Sequence, residues 1–192
     1  MLFRSSVSFP VTIPHSMKVY LNGTDVSNYI NSYTIDIPRT GIRTATIVTI
    51  RSIEDTYTIT NGDIIEIQES LDDITWTTEF YGIILTKTND LSGYALSCSD
   101  EMWKATGQTI TKLYDTSDPY DVFGGDIREI MIDIVNHAGL TMDDTTIDQT
   151  SVTIPQVLCD GVKVMEKIEQ LQNIMYWDVY QDPADRKIYF KK

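Results

Sequence analysis

The sequence predicts a mainly β protein: an antiparallel β-barrel, closed or nearly closed, over residues 17–112, followed by a small α+β domain over 113–192, with residues 1–16 as an extended N-terminal arm. Three observations predict it. Roughly six short alternating segments follow one another between residues 17 and 100, with no helical period between them. The polar, turn-prone run Asp115-Thr116-Ser117-Asp118-Pro119 then breaks the pattern, and Gly124-Gly125 follows it. Beyond that point the apolar period lengthens to that of a helix.

In the first region Met17–Leu21 runs into Asn22-Gly23, the strongest short-range hairpin signal. Tyr29, Tyr33, Ile35 and Ile37 share one parity before Pro38 ends the segment. The run Thr44–Ile50 is rich in β-branched residues, which suit a pleated, half-buried surface. After the turn Asn61-Gly62-Asp63, Ile65 and Ile67 alternate with Glu66 and Gln68. Residues 75–88 form a long threonine- and aromatic-rich strand, in which Gly82 suggests a bulge or a tight bend. Ser92-Gly93 turns the chain into Tyr94–Ser99. A run of strands without helices calls for an antiparallel barrel, because closure leaves few unpaired edges. One helical turn or a little more is expected over Asp100–Thr106.

In the second region Asp126 is placed as an N-cap, with Glu129 three residues on. Ile127, Ile130, Met131, Ile134 and Ala138 share a helical face that Gly139 closes. A second helix is expected from about Asp160, with Val164, Ile168, Leu171 and Met175 on its apolar side. Its solvated side is expected to carry Lys163, Lys167, Glu166 and Glu169. Tyr176–Tyr180 and Lys187–Phe190 read as a hairpin around Asp182-Pro183-Ala184-Asp185.

Hydrophobic residues make up 42% and charged residues 22% of the chain, which sets it among globular rather than disordered proteins. No apolar run approaches the roughly 20 residues of a membrane-spanning helix, so no such segment is expected. Residues 1–10 lack the apolar stretch of a secretory signal. The net charge is −13, distributed as +1 over residues 1–16, −6 over 17–112 and −8 over 113–192. Such a surface repels phosphate and argues against sequence-reading DNA binding. Cys98 and Cys159 read as buried free thiols, which fits assembly in a reducing host cytoplasm.

The chemistry-bearing residues do not assemble into a catalytic pattern. His15 lies in the arm, and His137 lies near a helix C-terminus, where a capping role is expected. Gly124-Gly125 precedes a helix, but Asp121 and Asp126 oppose an anion there, so a hinge is the stronger reading. The carboxylate clusters Glu54-Asp55, Asp72-Asp73, Asp143-Asp144 with Asp148, and Asp182 with Asp185 lie in expected loops as turn residues. Trp76, Trp103, Trp177, Phe80 and Tyr81 read as core or subunit-contact residues before they read as a sugar platform. No catalytic, cofactor-binding or metal-ligating residue is assigned, and no enzymatic activity is expected.

Five fragments in order carry a resemblance: Val19-Tyr20-Leu21-Asn22-Gly23-Thr24-Asp25-Val26-Ser27, Ser32-Tyr33-Thr34-Ile35, Gly62-Asp63-Ile64-Ile65-Glu66-Ile67, Phe80-Tyr81-Gly82-Ile83-Ile84 and Tyr94-Ala95-Leu96-Ser97-Cys98-Ser99-Asp100. Together they resemble the first barrel of the tailed-phage baseplate and tail-tip hub family. The later stretch, with the hairpin of residues 176–190, is similar to the α+β unit inserted after that barrel. The resemblance covers most of the chain after residue 16. It implies a structural virion protein and a homo-oligomer at the end of the tail tube. A trimer is implied, in which two barrels per chain match a six-fold tube. This sequence holds one, so it is an N-terminal portion, or a partner supplies the rest, or six copies are used. The partners implied are a tail tube or distal tail protein, a central spike or tip protein and a tape-measure protein, with DNA present only in transit. The rival readings are a carbohydrate-binding adhesin module of the tail tip, a distal tail or tube ring protein, and a cell-wall hydrolase fused to a hub.

Overall fold

The structure, a computed structural model, describes residues 16–89, 93–118, 123, 125–150 and 152–192. The expected N-terminal arm lies outside the described residues except for Ser16, which opens the first strand. The chain divides into two compact units. The first holds residues 1–38 and 44–98, and the second holds 39–43 and 99–192. The boundary expected at 112/113 falls inside a strand of the second unit.

The first unit is one antiparallel sheet of seven strands: β1 (Ser16–Leu21), β2 (Thr24–Asp25), β3 (Ile30–Asp36), β4 (Thr44–Ile50), β5 (Ile64–Ser70), β6 (Thr77–Asn89) and β7 (Gly93–Ser99). They lie in the order β2-β1-β5-β6-β7-β4-β3. The β1–β2 hairpin turns on Asn22 and Gly23, both at positive φ (49° and 81°), as a two-residue turn of this kind requires. Inward-facing residues alternate as a pleated surface dictates: Ala45 and Ile47, Ile65 and Ile67, Phe80 and Ile84, Leu96 and Cys98 are all buried. Val26, Ile53 and Ile59 from the connections complete this core. Each large apolar side chain so buried contributes roughly 1.5–3 kcal/mol.

The sheet is open. The closed or nearly closed barrel that the sequence predicts is not formed, because the ladder ends on β2 and β3 without joining them. The reason lies in β2, which offers only two residues, both paired with β1. Immediately after, the Asp25 carboxylate accepts from the Ser27 amide (2.9 Å) and hydroxyl (2.5 Å) and turns the chain away. The irregularity expected at Gly82 also sits elsewhere. Gly82 pairs regularly with Ile65, and the register shift falls at Glu79, between the Ile67–Phe80 and Gln68–Thr78 pairs.

The second unit holds α1 (Lys104–Gly107), β8 (Thr109–Asp115), α2 (Ile127–His137), β9 (Gln156–Lys163), α3 (Val164–Met175), β10 (Asp178–Gln181) and β11 (Ile188–Lys191). Asp126 caps α2, its carboxylate accepting from the Arg128 amide at 2.9 Å, and Gly139 follows the helix at φ 72°. The α2 face Ile127, Ile130, Met131 and Ile134 is buried against Val164, Ile168 and Leu171 of α3 and the β8–β9 pair. That pair joins segments some forty residues apart in sequence, and it takes Asp160–Lys163 into a strand where the sequence reads the start of a helix. Lys167 is not solvated as expected. It is buried, and its ammonium donates to the Leu158 carbonyl and the Gln170 side-chain oxygen, both at 2.8 Å.

Candidate interaction surfaces

The expected carboxylate clusters are taken up in turns and ion pairs. Glu54 accepts from Lys87 (2.5 Å) and from the Tyr94 hydroxyl. Asp143 pairs with Lys187 (2.7 Å), Asp144 with Arg128 (2.6 Å) and Asp148 with Lys191 (3.2 Å). Lys187 and the Thr145 hydroxyl and amide hold the Asp143 carboxyl well below the usual carboxylate range. Asp182 accepts from the Ala184 amide, and Asp185 from the Lys187 amide and the Tyr189 hydroxyl. Among the described residues no three His, Cys, Asp or Glu side chains converge as metal ligands, and no helix is long and apolar enough to cross a membrane.

The remaining candidates are structural in their surroundings. His137 ends α2 with its ring nitrogen 3.1 Å from the Thr109 carbonyl; His15 and Gly124 lie outside the described residues. Gly125 is packed against backbone, where a Cβ would meet the Ile154 carbonyl oxygen at 2.6 Å. Burial pushes the Cys98 thiol up to about 12 and raises Cys159 as well, so neither is a ready nucleophile. Phe80 is in the core, out of reach of a sugar, and Tyr81 is half-buried. Trp177 packs on Phe190 with ring centroids 5.0 Å apart, and Lys18 lies 4.0 Å over the Trp76 ring.

Two surface features emerge that sequence reasoning missed. The first is the β5–β6 loop, where Leu71 and Ile74 stand exposed beside a cleft of about 340 Å³ flanked by Glu69 and Glu79. Asp72 orders this loop by accepting from the amides of Ile74 (2.9 Å) and Thr75 (2.7 Å) and the hydroxyls of Ser70 and Thr75. These bonds, the Thr75 amide foremost, hold the Asp72 carboxyl down to about 2. The second is the end of α3, a hollow of about 380 Å³ between Arg39, Gln172, Tyr176 and Asp178. Tyr176 is not part of the hairpin; it caps α3 in the left-handed conformation (φ 56°) and is exposed. The available signal was local: apolar residues set among aspartates outside any strand period, and a helix that stops with no glycine or asparagine.

The fold is similar to those of two solved tail proteins. The 43 kDa tail protein of prophage MuSo2 from Shewanella oneidensis superposes with a TM-score of 0.63 at 9% identity, over 93% of this chain and 53% of that one. A tail protein from Neisseria meningitidis MC58 gives a TM-score of 0.54 at 9% identity, over 92% of this chain and 51% of that one. The chain thus spans about half the length of each. No protein-family model matches the sequence, and no curated protein does.

Proposed function

We propose that the chain is a structural, non-catalytic component of a tailed-phage virion, a baseplate or tail-tip hub subunit that joins the tail tube to the central spike or tip. The observation that carries this reading is the fold shared over 93% of the chain with the prophage 43 kDa tail protein. Asp143, Asp144 and Asp148, each held in an ion pair, agree with a scaffold.

In this reading copies of the chain form a ring, as a trimer or as six copies, between the tube or distal tail protein and the spike. A tape-measure protein ends at the same place, and DNA passes only in transit. The net charge of −13 suits a wall of the exit channel, because like charge suppresses phosphate contacts. Residues 1–16 serve as an arm that docks on a neighbouring subunit. An electron-microscopic reconstruction of the particle tests the proposal. Three or six copies at the distal end of the tube are expected. Density repeating along the whole tube would make the chain a tube protein instead, and a place in a fibre or the capsid would overturn the hub reading altogether.

A further inference from the structure

The β5–β6 loop is a rigid apolar knob beside carboxylates. Leu71 is 78% and Ile74 84% exposed, the Asp72 hydrogen bonds fix the loop, and Asp73 is held at φ 58°. Glu69 and Glu79 flank the adjoining cleft. Such a surface suits an apolar partner that also brings a cation.

The end of α3 offers that combination. Tyr176 is 90% exposed, Ile174 is exposed beside it in sequence, and the Arg39 side chain is 83% exposed. Arg39 binds Asp178 through Nε at 2.8 Å, and a guanidinium carries two further amino groups that can donate. Tyr176 also occupies a backbone conformation that glycine or asparagine would adopt at lower cost. A bulky aromatic kept there at the expense of stability, and standing in solvent, is the mark of a contact residue.

We propose that these two surfaces bind each other between copies of the chain: the Leu71–Ile74 knob of one copy seats on Tyr176 and Ile174 of the next, whose Arg39 faces the Glu69–Glu79 cleft. Charge selects this occupant. On a chain of net charge −13 most surfaces repel an acidic knob, whereas the α3 end pairs an exposed arginine with aromatic and aliphatic groups. The two patches differ, so the contact is heterologous and repeats head to tail. This deepens the ring reading by naming its contacting faces, yet it can fail while the ring survives.

Sedimentation of the full chain from about 5 to about 200 µM tests it, a range that detects micromolar association. Wild type should associate. Arg39→Glu and Glu79→Arg should each weaken association about tenfold, and an equimolar mixture of the two should restore pairwise association, because a contact between the two variants joins opposite charges where a contact within either variant joins like ones. Tyr176→Asn suits the left-handed turn and should weaken association without lowering the melting temperature, as should Leu71→Ser with Ile74→Ser. A chain that stays monomeric throughout, or a mixture that fails to recover, overturns the proposal. An oligomer untouched by every variant also overturns it, but leaves the ring reading standing with its interface elsewhere.

Discussion

The phenol of Tyr33 on β3 donates to the carboxylate of Glu69 on β5, although β3 ends one side of the ladder and β5 lies third from the other end. A side-chain bond thus links strands that the backbone ladder leaves apart. Burial, together with the Glu69 carboxylate, pushes the Tyr33 phenol well above its ordinary value. The stability it contributes is fully present below about pH 10 and is lost as pH rises beyond that. Tyr33→Phe should cost about 1–2 kcal/mol in urea denaturation and remove a late-ionising phenol from the ultraviolet alkaline titration.

Gly93 opens β7 where its backbone passes against β4. A Cβ there would lie 1.8 Å from the Thr49 carbonyl oxygen. Gly93→Ala forces the two strands apart and should cost at least about 2 kcal/mol, read as a lowered urea midpoint.

Asp100 is buried at the turn into the second unit, accepting from the amides of Arg43 (2.8 Å) and Met102 (3.0 Å). Desolvation outweighs those bonds and raises its carboxyl to about 6. The sign is opposite to that of a paired surface carboxylate. The stabilisation from its protonation is full below about pH 4 and is lost as pH rises through about 6. Carbon-detected NMR titration should find one aspartate titrating near 6. Asp100→Ala should cost about 2–3 kcal/mol, because it orphans two buried amides.

Asp72 carries the geometry of the β5–β6 loop, and its carboxyl sits at about 2. Its bonds persist at neutral pH and weaken only as pH falls below about 4 towards that value. Asp72→Ala should speed amide hydrogen exchange at Ile74 and Thr75 at least about tenfold, while the urea midpoint of the whole chain stays nearly unchanged.

Deletion of residues 2–14 tests the proposed arm. Assembly should weaken, while the melting temperature of the monomer stays nearly unchanged. Assembly of undiminished strength would refute a docking role.

Alternation and turn chemistry alone determined much of this protein: the strands with Ile47, Ile67 and Leu96 inward, the Asn22-Gly23 turn, the Asp126 cap and the buried face of α2. These are local properties, because a residue's parity or helical phase is set by its own neighbours. The tertiary structure decided the rest. It left the sheet open at a two-residue β2, paired Thr109–Asp115 with Gln156–Lys163, buried Lys167 under the Leu158 carbonyl, and stood Leu71, Ile74 and Tyr176 in solvent. Each of those depends on which distant segment arrives to satisfy or cover a group, and periodicity holds no record of that.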